Sequence, residues 1–369
     1  MTAPENSIMR EDPWWKQAYG CGHEAFQCFR DVFPLTRPSP YRTSTFSPQT
    51  TSERRQQSTQ GDSLDSDGHL AQEVLEHHVP TYKEAAAEET VLYLAYGSNL
   101  SSAKFRGSRG IKPLSEINVY VPELKLTFDL PGIPYGEPCF AGSQFRDCPH
   151  EETSKEDTDE DPLLAKREYH KDRWHKPLIG VVYEVTLTDY AHIIATEGGG
   201  RGYRDMVVTC YPFSEKYDSR EPVPDKPMTT PFKAHTLLSP DRDDGQSKAA
   251  LRPDPSYAQP SARYLNLIKT GAAEHDLPIS YQNYLAQIRP YRITSFRQRV
   301  GQGLFLSLWG PLILLLVALG SSLADSDGRS PEWLVKVEDN VFAAMWKSYD
   351  HGFKKVFGNG ERTIEDATP

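Results

Sequence analysis

Two short stretches hold residue types that could do chemistry. In "VLYLAYGSNL", residues 91–100, an apolar run stops at Gly97, Ser98 and Asn99. A glycine at a strand end lets backbone approach a ligand closely, and successive amides of a Gly-Ser-Asn turn form a concave donor set for a carboxylate or an oxyanion. The same three residues also make an ordinary hairpin connector. In "TEGGG", Glu197 precedes three glycines. It is either the exposed last turn of a helix or a carboxylate left unobstructed for proton transfer. Neither stretch decides the matter alone.

Other chemistries lose their usual supports. There is no GxSxG elbow, no HExxH, no Walker loop and no GxGxxG after a strand. Residues 197–202 lack the lysine and Ser/Thr that a phosphate loop uses. The Asp/Glu-dense run at 147–161 reads as a solvated loop, and the flanking His150, His170 and His175 lack metal-ligand spacing, so no metal is expected. A net charge of -10 without a Lys/Arg block argues against nucleic acid. Five cysteines (Cys21, Cys28, Cys139, Cys148, Cys210) with no CxxC pair fit unpaired thiols in a reducing compartment, and the first thirty residues lack the apolar core of a secretory signal. Cytosol is therefore expected for the folded part.

The elements that must position the two stretches are strands. "TVLYLA", "INVYVPELKLTFDL", "PCFAGSQF", "LIGVVYEVTL", "RDMVVTCYPF" and "PFKAHTLL" carry β-branched and aromatic residues between turn signals. A short helix is expected at "TDYAHIIAT", stopped by glycines, and two more in "SARYLNLIKTGAAEHDLPISYQNYLAQI", separated by Pro278. Strands followed by helices indicate an α+β fold. Residues 34–68 are rich in Ser, Thr, Pro and Gln with few aliphatics and are expected to be disordered.

No charge lies between Arg299 and Asp325, and "LFLSLWGPLILLLVALGSSLA", residues 304–324, would span about 30 Å as a helix, the thickness of a bilayer core. A single span is expected. A soluble core helix or a hairpin in one leaflet are the alternatives. Arg289, Arg292, Arg297 and Arg299 on its N-terminal flank favour a cytosolic folded domain. Beyond it, Leu334, Val337, Val341, Met345, Tyr349, Phe353 and Val356 fall on one stripe of an amphipathic helix.

The blocks "YLAYGSNL", "GVVYEVTLTDYAHIIATEGG" and "SARYLNLIKTGAAEHDLPISYQNYL" resemble, in order and spacing, the three signature blocks of the γ-glutamylcyclotransferases, and the loop "FDLPGIPYGEPCFAG" is similar to versions in filamentous fungi. The resemblance covers about residues 90–292. It implies a small mixed β-barrel flanked by helices and a cofactor-free reaction. The α-amine of a γ-glutamyl group attacks its own γ-amide carbonyl, releasing 5-oxoproline and an amino acid or amine. It further implies that Glu197 is the base and acid. By the same resemblance, the stretch Tyr93, Leu94, Ala95, Tyr96, Gly97 and Ser98 holds the γ-glutamyl part and Tyr264 lines the same pocket. Asn99 is expected to lock the turn, and Tyr203 is a weaker candidate. The alternatives are a γ-glutamylated amine as substrate, or a catalytically silent binding module on the membrane.

The expected organisation has four parts: a largely disordered extension at 1–88 and a catalytic domain at 89–298 with an acidic insert (147–176) and a Pro-rich insert (214–260), then a transmembrane helix at 299–325 and an amphipathic tail at 326–369. The expected partners are a γ-glutamyl small molecule and, through residues 304–324, a lipid bilayer.

Overall fold

The apolar run Leu178–Thr186 (β5) forms a central strand, paired on both edges and with nearly all of its residues buried. The computed structural model describes residues 47–72, 89–146, 174, 176–196, 204–224, 226–238, 252, 257–323 and 331–363. β5 lies between β1 (Thr90–Ala95) and β2 (Ser115–Val121), antiparallel to each. β6 (Arg204–Pro212) and β7 (Phe232–Leu238) complete a closed barrel in the order β1-β5-β2-β6-β7, sealed by a parallel β1–β7 contact at Tyr93 and His235. β3 (Leu124–Ile133) and β4 (Glu137–Phe145) make a separate two-stranded sheet. The α+β architecture, a mixed barrel flanked by helices, is as expected.

Residues 47–68 depart from the expected disorder. Thr51 caps α1 (Ser52–Gln57), accepting from the Arg54 amide at 3.2 Å. Arg54 then reaches Asp65 at 2.6 Å and Glu184 of β5 at 2.9 Å, while Asp65 accepts from the Leu92 amide of β1 at 2.6 Å. Backbone bonds between Thr50, Pro48 and Glu116 fasten the same strap to β2. Composition argues disorder from the scarcity of aliphatics, but this strap is held by charge and backbone. The acidic run at 147–161 and most of the Pro-rich segment at 239–256 lie outside the described residues.

α2 (Leu187–Thr196) follows β5, and α3 (Ala262–Glu274) and α4 (Ile279–Gln287) pack on the barrel with Pro278 between them. α5 (Phe296–Leu323) is one helix through Pro311, long and apolar enough to cross a membrane. α6 (Glu332–Ser348), a π-helical turn (Tyr349–Phe353) and α7 (Lys354–Phe357) run back along it. Trp309 Nε1 donates to Ser348 Oγ at 3.1 Å, and Phe305, Leu306, Ile313, Met345, Trp346 and Tyr349 share a core with Ile133 and Tyr135 of the β3–β4 connection. Residues 358–363 then rejoin the barrel domain: Tyr135 N donates to Gly360 O at 2.7 Å and Gln259 N to Glu361 O at 2.8 Å. α5 covers the expected span at 299–325, and the described part of the expected tail, through α6, α7 and residues 358–363, packs back on α5 and the barrel domain.

His235, fully buried, faces Asp205 through Nδ1 and the Leu64 carbonyl through Nε2, both at 2.9 Å. Both partners accept, so the ring donates twice as imidazolium. Burial alone would push His235 down, but the Asp205 hydrogen bond and charge, the Leu64 carbonyl and Asp65 together raise it above its ordinary 6.5.

Two predictions follow from the strap. Asp65→Ala leaves Arg54 and the Leu92 amide without their shared acceptor and is expected to destabilise the fold by about 3–5 kcal/mol, read from urea unfolding. A raised folded-state pKa means that His235 contributes stability fully below its unfolded value. That contribution is lost as pH rises through the folded value. The urea midpoint of the wild-type chain should therefore fall as pH rises above the ordinary histidine value of 6.5, and His235→Gln should flatten that part of the profile.

Candidate active site

β1 delivers its end to a tight turn. After Ala95 and Tyr96 the backbone passes Gly97 at φ -105 and enters a 3-10 turn, Ser98–Leu100. The turn's own bonds run from Leu100 N to Gly97 O and from Ser101 N to Ser98 O, both at 3.1 Å. Asn99 Nδ2 donates to Tyr93 Oη at 3.0 Å, tying the turn back to its own strand. Tyr93 stacks on Phe105, and Phe105 on Tyr183.

The other side chains of the stretch serve packing. Leu94 and Ala95 are buried, and the Leu94 carbonyl accepts from Thr236 Oγ1 at 3.1 Å. The Tyr96 hydroxyl donates to the Leu237 carbonyl. Of residues 93–99, Gly97 alone is partly exposed. The backbone around Gly97, and not the side chains of its neighbours, is therefore what the stretch offers to a ligand.

Tyr264 meets this turn from α3. Ser261 caps the helix, accepting from the Tyr264 amide at 3.0 Å, which aims the first turn of α3 at the end of β1. The Tyr264 hydroxyl accepts from Ala141 N of β4 at 3.1 Å, and its ring lies edge-on to Phe140. A Cβ at Gly97 would stand 3.4 Å from that hydroxyl and 3.7 Å from the Ala141 methyl, so the glycine keeps open the space between them. Farther along α3, a Cβ at Gly271 would come within 2.4 Å of the Leu100 carbonyl carbon, and Glu274 accepts from Ser102 N at 2.8 Å. α3 thus lies directly along the 97–102 segment, and only a glycine at 271 permits that approach.

Glu197 and Tyr203 lie outside the described residues. The elements flanking them are fastened to each other. Tyr190 of α2 donates to Asp205 of β6 at 2.8 Å, and burial, reinforced by the Asp205 charge, raises the Tyr190 phenol well above its ordinary value and keeps it a donor. Among the described residues, no group of three or more His, Cys, Asp or Glu side chains could hold a metal ion.

Two residues central to this geometry escape sequence reasoning. Glu137, 4% exposed, accepts from Ser261 Oγ at 2.5 Å and from Arg263 Nε at 3.0 Å. Ala141 supplies the amide that fixes Tyr264. Ser261 carried a usable signal, since a serine just before an apolar-periodic run marks a helix start. Glu137, in "PYGEP", carries none.

Residues 295–356 match the family described as the AclK C-terminal domain. Gamma-glutamyl cyclotransferase gliK of Aspergillus fumigatus is 33% identical over 272 residues, covering 73% of this chain and 89% of its own. Gamma-glutamyl cyclotransferase aclK of Aspergillus oryzae is 31% identical over 287 residues, covering 75% and 92%. A solved structure titled gamma-glutamyl cyclotransferase is 19% identical, covers 56% of this chain and 92% of its own, and has a TM-score of 0.35. With a third of positions shared along most of both sequences, the chain belongs to the γ-glutamyl cyclotransferase family.

Proposed function

We propose that the chain cyclises γ-glutamyl compounds: the α-amine attacks the γ-amide carbonyl, the five-membered ring closes as 5-oxoproline, and an amino acid or amine leaves. The observation that carries this reading is the meeting of the Gly97 backbone, the Tyr264 hydroxyl and the Ala141 amide at the end of β1. Amides of the 97–99 turn hold the γ-glutamyl group and face the oxygen that gains charge as the ring closes. Holding the substrate folded supplies the largest gain, because the attack is intramolecular and one conformer is productive.

The α-ammonium must lose a proton before it attacks, and the departing nitrogen must gain one. Glu197, carried by the segment between α2 and β6, performs both transfers in turn. Tyr93 through Ser98 frame the pocket, Asn99 braces it and Tyr264 closes one side. The reaction needs no metal or cofactor. The chain attaches to a membrane through α5, within residues 304–324, with the barrel on the cytosolic side.

In the full chain, 5-oxoproline release from γ-glutamyl-alanine, γ-glutamyl amines and glutathione distinguishes substrate classes, and no release from any of them refutes the enzyme reading. Glu197→Gln is expected to lower turnover by about 10²–10⁴-fold with an unchanged circular dichroism spectrum. Gly97→Ala puts a methyl in the space beside Tyr264 Oη. It should raise KM by about tenfold, equivalent to about 1.4 kcal/mol of binding, while the unfolding midpoint stays near that of the wild type.

A further inference from the structure

α5 presents two unlike faces. One carries Phe305, Leu306, Ile313 and Leu316, buried against α6 and the barrel domain. The other carries Phe296, Val300, Leu304, Leu308, Leu315 and Leu323, all exposed, with Leu304, Leu308 and Leu315 each more than half exposed. From Val300 to Leu323 that exposed face holds no charge over about 36 Å of helix. Solvated helix faces are not built this way.

The surroundings say what covers it. On α6 the exposed positions carry both charge, at Lys336, Asp339 and Lys347, and apolar side chains, at Trp333, Val337 and Phe342. The end of the pair nearest the barrel is basic. Segments 289–300 and 351–358 contain Arg289, Arg292, Arg297, Arg299 and Lys355, together with Lys354, which pairs with the buried Glu361 at 3.3 Å, in a chain whose net charge is -10. An apolar stripe flanked by cations complements an anionic lipid surface.

Residues 358–363 fix the topology. Besides the bonds from Tyr135 and Gln259, Tyr135 Oη donates to Gly358 O at 2.8 Å, and Glu361, 2% exposed, pairs with Arg252 at 3.0 Å. All of these require the chain to return to the side it left.

We propose that α5 and α6 form a monotopic anchor, with α5 lying along one leaflet of an anionic membrane, its exposed stripe in the acyl layer and its basic end on the headgroups. This rests on the reading of α5 as the membrane attachment, and it replaces crossing with lying. The barrel and the whole tail then share one aqueous face.

The test uses the full chain with Cys21, Cys28 and Cys148 replaced by serine. Lys216→Cys on the barrel domain and Asn340→Cys on α6 are each exposed to a membrane-impermeant maleimide on sealed vesicles with the barrel outside. Equal labelling of both before detergent is expected. Labelling of Asn340→Cys only after detergent, with Lys216→Cys already labelled, overturns the monotopic anchor in favour of a span. Flotation separates the parent reading: the chain should float with phosphatidylcholine vesicles containing about 30% phosphatidylserine and at least about fivefold less with phosphatidylcholine alone. Leu304→Glu with Leu308→Glu should cut flotation by about tenfold at an unchanged circular dichroism spectrum. Failure to float with either vesicle overturns membrane attachment itself. A dimer that the same double variant converts to monomer assigns the stripe to a second copy of the chain.

Discussion

The Glu137 carboxylate sits at the N-terminus of α3, nearly out of reach of water, and accepts from Ser261 Oγ and Arg263 Nε. A buried carboxylate is costly unless its charge is met, and here it is met by an arginine, a hydroxyl and the positive end of a helix. One consequence is that β4 cannot drift from α3. The Ala141 amide then faces the Tyr264 hydroxyl, and Tyr264 faces Gly97. The β3–β4 sheet shares no hydrogen-bonded edge with the barrel, yet it governs the space at the end of β1. Glu137 contacts no substrate in this scheme. It helps set where Tyr264, the tyrosine of the proposed pocket, stands.

The opposite side of the barrel is held by a second charged assembly. Arg54, Asp65 and Glu184 join the strap to β1 and β5, and His235 links Asp205 to the Leu64 carbonyl. Asp205 also receives Tyr190, so the end of the segment bearing Glu197 and the strap converge on one carboxylate. Leu64 packs the strap on the core, but removing one of its buried charges would leave partners on two strands unmet, a larger loss. That asymmetry is characteristic of buried polar networks, in which each unmet group carries its full desolvation cost.

The barrel was legible because its strands are buried: "LIGVVYEVT" reads as a doubly covered strand and proves to be one. The Gly-Ser-Asn turn was legible as a turn, but its meeting with Tyr264 was reached through the family resemblance, since 164 residues and a second sheet intervene. Glu137 was illegible because an acid between glycine and proline looks like any solvated loop. The strap was illegible for a related reason, as composition counts the greasy residues that build cores and overlooks arginines that build clamps. Hydropathy found α5 but is silent on direction. It measures whether a segment prefers lipid and says nothing about where the next thirty residues go, which here is decided by Gly360 and Glu361.

Tyr135, two residues before Glu137, adopts φ 63, a conformation that a tyrosine enters at a cost of about 1–3 kcal/mol. Its amide and hydroxyl donate to Gly360 and Gly358 of the C-terminal segment, and its carbonyl accepts from Gln302 of α5. Residues 135–137 are therefore pinned at both ends, one to the helical pair and the other to the cap of α3. A link of fixed length between two clamps transmits displacement without slack. The α5–α6 helix pair and the Tyr264 side chain are thereby parts of one lever, and an insertion at the single-residue link Gly136 would uncouple them.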